Sequence, residues 1–135
     1  MKQLHVITRL SIYLLSVVLF AFGVFHFLHP RDLLVYVPSF IPGGIMWVYV
    51  IGSAFIGVAV SFLTNKMVKG AGYLLAVLLI TFIITIHLPN YLNAGDKDMK
   101  LVALINLLKD TAIACFALHI AAGAHHQRLH LENSD

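Results

Sequence analysis

An amide, an ammonium group and a carboxylate lie close together within the apolar run at residues 101–122: Asn106, Lys109 and Asp110. If this run crosses a bilayer, a charge near its middle costs about 2.5–3.5 kcal/mol on insertion scales, and such residues mark a functional site by default. Asn106 lies one helical turn before the other two, so the three form one polar stripe. Neighbouring residues on a helix point roughly 100° apart. Lys109 and Asp110 therefore pair poorly with each other and need partners on other helices.

Histidines lie near the ends of two other apolar runs. His26 is close to the end of the first run, and His87 ends the third. With four membrane-crossing helices, both imidazoles share one half of the bilayer with Lys109 and Asp110. A carboxylate-to-histidine hydrogen bond would fix the tautomer and leave the second ring nitrogen free for a ligand or a proton. The predicted residues for ligand binding or proton relay are His26, His87, Lys109, Asp110, Asn106 and Tyr49.

A metal or haem site is a more specific alternative for the same side chains. His26 and His87 could ligate a haem iron, and together with Asp110 they could form a three-ligand metal site. No ligand spacing such as His-x-x-x-His supports either arrangement. We therefore predict no metal site and disfavour haem. The single cysteine, Cys115, excludes an internal disulfide.

The composition indicates a membrane protein. Of 135 residues, 60% are hydrophobic and 11% are charged, whereas about 25% are charged in soluble domains. One domain is expected at this length. The net charge of +3 comes from basic residues scattered around the apolar runs, a distribution that indicates orientation in a membrane. We predict no nucleic-acid partner.

The apolar runs predict an all-α fold, an integral membrane four-helix bundle. We expect helices at about residues 10–28, 45–63, 71–88 and 101–122, each long enough to cross roughly 30 Å of hydrocarbon. Residues 31–44 contain Pro38 and Pro42, which exclude a continuous helix, and they are predicted to form a lid at the membrane surface. Residues 125–135 are predicted to be a polar tail that frays.

Basic residues flank the runs unequally. An even number of spans places both termini on one side, together with Lys2, Arg9, Lys66, Lys69 and Arg128. The opposite side has fewer basic residues, and aspartates dilute them. The positive-inside rule therefore predicts that both termini are cytoplasmic, in a multi-pass protein of the cytoplasmic or inner membrane.

Short signatures follow one another along residues 9–122. They are Gly23-x-x-His26-Phe27-x-x-Pro30, Val37-Pro38, Trp47-Val48-Tyr49-x-x-Gly52, His87-Leu88-Pro89 and Leu108-Lys109-Asp110. In this order they resemble the DoxX-like family of small four-helix membrane proteins, relatives of the DoxD and MauE-type proteins. These relatives often carry an acidic residue three positions after the glycine matched by Gly52, where this chain has Phe55. The resemblance implies an association with membrane redox systems, through quinone-coupled oxidation of sulfur compounds and terminal oxidases.

These features together predict an accessory component of a membrane redox or respiratory system, with a small lipophilic ligand in an outer-leaflet pocket. A quinone is the candidate ligand, hydrogen-bonded by Lys109 or a histidine, with Asp110 relaying a proton. Two alternatives stay open: a structural subunit whose polar residues only lock helix packing, and a small carrier or proton-conducting oligomer. The isolated chain is more readily a binding protein than an enzyme. Its expected partners are membrane lipid, subunits of a redox complex and further copies of the chain.

Overall fold

The computed structural model describes the backbone of residues 2–132 and the side chains of residues 6–124. Within these residues every regular element is helical and no strand occurs, so the predicted all-α class is confirmed. The elements are α1 (Lys2–Leu28), α2 (Pro30–Leu33), a 3-10 turn (Leu34–Tyr36), α3 (Ile45–Thr64), α4 (Val68–Phe82), a π-helical turn (Ile83–His87), α5 (Leu88–Asn93) and α6 (Lys97–Glu132).

Four stretches are long and apolar enough to cross a membrane: Val6–Leu28, Ile45–Thr64, Val68–Asn93 and Lys97–Ala124. In the most apolar window of each, only 17%, 33%, 28% and 22% of the residues are buried inside the protein. Helices of a soluble domain turn their apolar stripe toward the core and expose polar residues. Here the outward surface is itself apolar, which is typical of a multi-pass membrane protein.

The four long helices pack in two pairs. α1 packs on α3, α4 packs on α6, and the pairs meet through α3 and α4. The shared core holds Leu19, Phe55, Val58, Ala59, Phe62, Ala71, Leu75, Ala76, Leu79, Ala114, Ala117 and Ile120. The main contact between the two pairs is made by α3 and α4, and a space lined by α1 and α6 remains between them.

Glycines bring the helix backbones of each pair together. A Cβ atom on Gly52 would lie 2.6 Å from Cβ of His26, and one on Gly23 would lie 2.8 Å from the carbonyl oxygen of Gly52. In the other pair, a Cβ atom on Gly72 would lie 2.8 Å from the carbonyl oxygen of Ala117. Such contacts leave no room for a side chain, so glycine is required at these crossings.

The third long helix continues past its predicted end at residue 88. Proline has no N–H and its ring conflicts with the carbonyl group four residues earlier, so Pro89 was expected to end this helix. Instead, the π-helical turn Ile83–His87 precedes it, and the N–H of Leu88 bonds to the carbonyl oxygen of Ile83. Pro89 then lies in the first turn of α5, where its missing N–H is not needed. The prediction of a helix end at this proline was therefore wrong.

The last helix is also longer than predicted. α6 continues to Glu132, ten residues beyond the predicted end at residue 122. No proline interrupts residues 123–132, and most of these residues are tolerated in helices. The predicted polar tail is thus largely an extension of α6, and its last three residues lie outside the described backbone.

Residues 30–44 form a connector folded against one end of the helices. Its last turn requires positive φ angles of 107° at Gly43 and 48° at Gly44, a conformation that favours glycine. The indole Nε1 of Trp47 donates a hydrogen bond of 2.8 Å to the carbonyl oxygen of Pro42. The first turn of α3 therefore holds the end of the connector in place.

Candidate functional site

A cavity of about 590 Å³ lies between the helix pairs, on the side of the connector. Its volume is within the range of small-molecule sites, which are mostly apolar with a few polar groups. Its apolar wall includes Leu15, Val18, Leu19, Phe22, Leu33, Val37, Ile41, Val48, Ile51, Ala54, Phe55, Leu74, Leu78, Phe82 and Ile113. Every long helix and the connector thus contribute to one space suited to an apolar molecule.

A histidine and an aspartate form a buried pair on the cavity wall. Nε2 of His87 donates a hydrogen bond of 3.0 Å to Oδ2 of Asp110. Their side chains are only 13% and 8% exposed. His87 is the last residue of the π-helical turn, a feature that occurs frequently at functional sites. The buried carboxylate therefore has a partner on another helix, as the sequence predicted.

Lys109 and Asn106 line the cavity on the α6 side. Nζ of Lys109 donates a hydrogen bond of 3.2 Å to Oδ1 of Asn106. The same ammonium lies 5.7 Å from the ring centroid of Phe22 on α1, within the range of a cation–π contact. Lys109 is exposed, so its charge is not enclosed by the protein as that of Asp110 is. The polar stripe thus has one buried member, Asp110, one exposed member, Lys109, and one half-buried member, Asn106.

His26 also lines the cavity, but it does not pair with the carboxylate. Its Nδ1 donates a hydrogen bond of 2.7 Å to the carbonyl oxygen of Phe22. Its ring lies 5.5 Å, between centroids, from the ring of Phe55, which is 5% exposed. The aromatic ring of Phe55 therefore packs directly on a candidate site residue.

Tyr49 is the predicted site residue that the structure places elsewhere. Its ring packs against Phe27 at 5.6 Å between centroids, and 38% of the residue is exposed. It does not line the cavity. The structure thus brings together His26, His87, Asn106, Lys109 and Asp110 and leaves Tyr49 outside.

Several polar wall residues were not among the predicted ones. Thr81 and Thr85 lie on α4 and its π-helical turn, and Trp47 and Tyr36 lie near the connector. The spacing of four residues between the two threonines, which places them on one helix face, was a signal that could have identified them. Tyr36, which lies within the connector, has no comparable sequence signal, because irregular backbone has no repeating spacing of side chains.

The alternative metal site is not formed. Across the described side chains, no three His, Cys, Asp or Glu residues are grouped so that they could hold a metal ion. His87 and Asp110 bond to each other, and Nδ1 of His26 is engaged with a backbone carbonyl. These three side chains are instead engaged in hydrogen bonds on an apolar wall.

Comparisons with known proteins give one positive result. No curated protein and no solved structure shows significant similarity to the chain. The model of a family described as a domain of unknown function (DUF8561) matches residues 15–121. That range contains every residue of the cavity wall, from Leu15 to Ile113. The chain belongs to this family, the domain of unknown function DUF8561.

Proposed function

We propose that this chain is a cytoplasmic-membrane protein that binds a small lipophilic molecule between its helices, as an accessory component of a membrane redox or respiratory system. One observation carries the binding proposal. A cavity of about 590 Å³ between apolar helices has a buried, hydrogen-bonded carboxylate and imidazole on its wall. An enclosed charge in such surroundings is costly and marks a functional site by default.

Placement in the membrane is supported by the four apolar stretches and their outward apolar surface. The distribution of basic residues favours cytoplasmic termini. In that orientation the connector is extracytoplasmic, and the cavity lies in the outer half of the bilayer. A lipid-soluble molecule then reaches the site from the surrounding membrane.

A quinone is the candidate ligand. Its ring would occupy the apolar space, and Lys109 or a histidine would hydrogen-bond one of its oxygens. His87 and Asp110 share a hydrogen bond of 3.0 Å, so a proton can pass between the carboxylate and the imidazole on the cavity wall. Support for the redox association comes from the resemblance to DoxX-like proteins.

A structural role is the second candidate, and the same pair favours it. The bond between His87 and Asp110 ties the π-helical turn to α6. Buried polar contacts of this kind can fix helix register without any ligand. The chain would then be a packing subunit of a larger membrane complex.

The two candidates are distinguished by filling the cavity without touching its polar groups. Ala54 lines the cavity, and a phenylalanine there would occupy the space of the ligand. Ser53 is the neighbouring, exposed residue and does not line the cavity, so Ser53→Phe is the matched control. Native mass spectrometry of mildly solubilised protein would compare both variants with the wild type and identify the molecules that dissociate.

We expect the wild type and Ser53→Phe to release the same discrete lipophilic molecule, and Ala54→Phe to lack it. Ordinary phospholipid, released equally by all three proteins, would contradict the binding proposal and leave the structural role.

A further inference from the structure

Most hydrogen-bond donors on the cavity wall are already used within the protein. Oγ1 of Thr81 donates to the carbonyl oxygen of Val77 at 2.8 Å, and Oγ1 of Thr85 donates to that of Thr81 at 2.7 Å. The indole N–H of Trp47 donates to the carbonyl oxygen of Pro42. A hydroxyl group has one proton, so each threonine can offer a ligand only the lone pairs of its oxygen.

The two histidines likewise present acceptors. A carbonyl oxygen can only accept, so the bond to Phe22 places the proton of a neutral His26 on Nδ1 and a lone pair on Nε2. His87 donates from Nε2 to Asp110, which leaves a lone pair on Nδ1 of the neutral ring. Within residues 6–124, no fully buried polar side-chain atom lacks a partner. The free nitrogens of these two rings therefore keep some accessible surface, and both residues line the cavity.

The remaining donors of the cavity wall belong to Lys109, Asn106 and Tyr36. Tyr36 is 46% exposed, so its hydroxyl group does not belong to the enclosed part of the wall. Nζ of Lys109 and the amide nitrogen of Asn106 have protons available, because only one bond between the two residues is made. Lys109 is exposed, whereas the side chain of His87 is 13% exposed. The more enclosed wall is thus made of acceptors, and the open side carries the donors.

A ligand whose polar group only accepts would leave the enclosed acceptors unpaired, which is unfavourable in an apolar site. A hydroxyl group donates its proton to an imidazole nitrogen, and its oxygen can still accept from Lys109. We infer that the ligand of this cavity carries a hydroxyl group, as a phenol or an alcohol on an apolar body; this inference rests on the proposed binding function. For a quinone and its quinol, the same wall favours the quinol.

The test compares two probes that differ in one proton donor: para-octylphenol and its methyl ether. Trp47 is the single tryptophan of the chain and lines the cavity, so its fluorescence reports binding in lipid nanodiscs. Excitation at the red edge of the indole band avoids absorption by the phenol. The cavity of Ala54→Phe is filled, so its fluorescence change measures the part of the signal that comes from probe dissolved in the lipid. This part is subtracted from the signal of the wild type.

We expect the phenol to bind the wild type about tenfold more tightly than the ether, the effect of one hydrogen bond in an apolar site. His26→Phe keeps an aromatic ring beside Phe55 but removes the acceptor, so it should reduce this ratio. Equal binding of both probes, or a ratio unchanged by His26→Phe, would overturn the inference while the binding proposal stands. Signals for both probes no larger than in Ala54→Phe would overturn the binding proposal itself.

Discussion

Replacing Asp110 by leucine is expected to lower the free energy of unfolding by about 1–3 kcal/mol, because the buried N–H of His87 would lose its acceptor. The carboxylate oxygen and the imidazole nitrogen are 3.0 Å apart, and both side chains are largely enclosed. Leucine has the same number of side-chain heavy atoms in the same branched arrangement, so no cavity is left and the expected loss comes from the unpaired polar group. Reversible unfolding in mixed micelles measures the change.

The double variant His87→Leu/Asp110→Leu is expected to recover most of this loss, because both polar groups are then absent. Lys109→Met is the control on the adjacent residue. Lys109 is exposed and its hydrogen-bond partner is on its own helix, so we expect a change within about 0.5 kcal/mol. If the free energy of unfolding of Asp110→Leu equals that of the wild type, the pair does not hold the helices together.

If the wild type releases a discrete lipophilic molecule, a folded double variant also shows what the pair does. Loss of the molecule from this variant would assign the pair to ligand binding. A double variant that keeps the molecule would assign the pair to helix packing.

Gly52→Ala is expected to destabilise the protein by about 1–3 kcal/mol, the usual cost of overpacking a close contact. The new Cβ atom would lie 2.6 Å from Cβ of His26 and 3.1 Å from the carbonyl oxygen of Gly23. Neither atom is the end of a flexible side chain, so α1 and α3 must separate. Because His26 lies at this contact, we also expect weaker ligand binding.

Gly57→Ala is the matched control on the same helix, because a Cβ atom there would have no neighbour within 4 Å. It is expected to keep or raise stability by about 0.4–1 kcal/mol, since alanine costs less entropy than glycine in a helix. Equal unfolding midpoints for the two alanine variants would contradict the backbone contact between α1 and α3.

The helices were the most predictable part of the fold. Apolar runs long enough to span a bilayer can hardly be anything else, and the structure has a helix at each of the four. Their ends were less predictable. Pro89 was expected to end the third helix, but the π-helical turn before it lets the helix continue to Asn93. Such a turn depends on tertiary contacts and leaves no simple pattern in the sequence.

The residues that face the cavity were predictable in depth but not in direction. Because burying a charge is costly, the sequence predicted a partner for Asp110. It did not show whether the partner is His26 or His87, because residue spacing does not give the direction of a side chain on another helix. Tyr49 lies on the predicted helix but points toward Phe27 and away from the cavity. Lys109 was expected to need a partner on another helix and has only the ring of Phe22 there.

The resemblance to DoxX-like proteins stays a prediction. The family match covers residues 15–121 but is described as a domain of unknown function. Phe55, at the position where the resemblance predicts an acidic residue, packs against His26 and Phe22. Among the residues that line the cavity, Asp110 is the one with a carboxylate.

Photolabelling with a lipophilic alkyl diazirine, mapped by peptide mass spectrometry, tests most directly whether this cavity holds an apolar molecule. We expect labels on half-buried cavity residues such as Leu78 and Phe82, and their loss in Ala54→Phe. Labels that follow outward exposure, on residues such as Leu14 and Val17, and that persist in Ala54→Phe would contradict a ligand site between the helices.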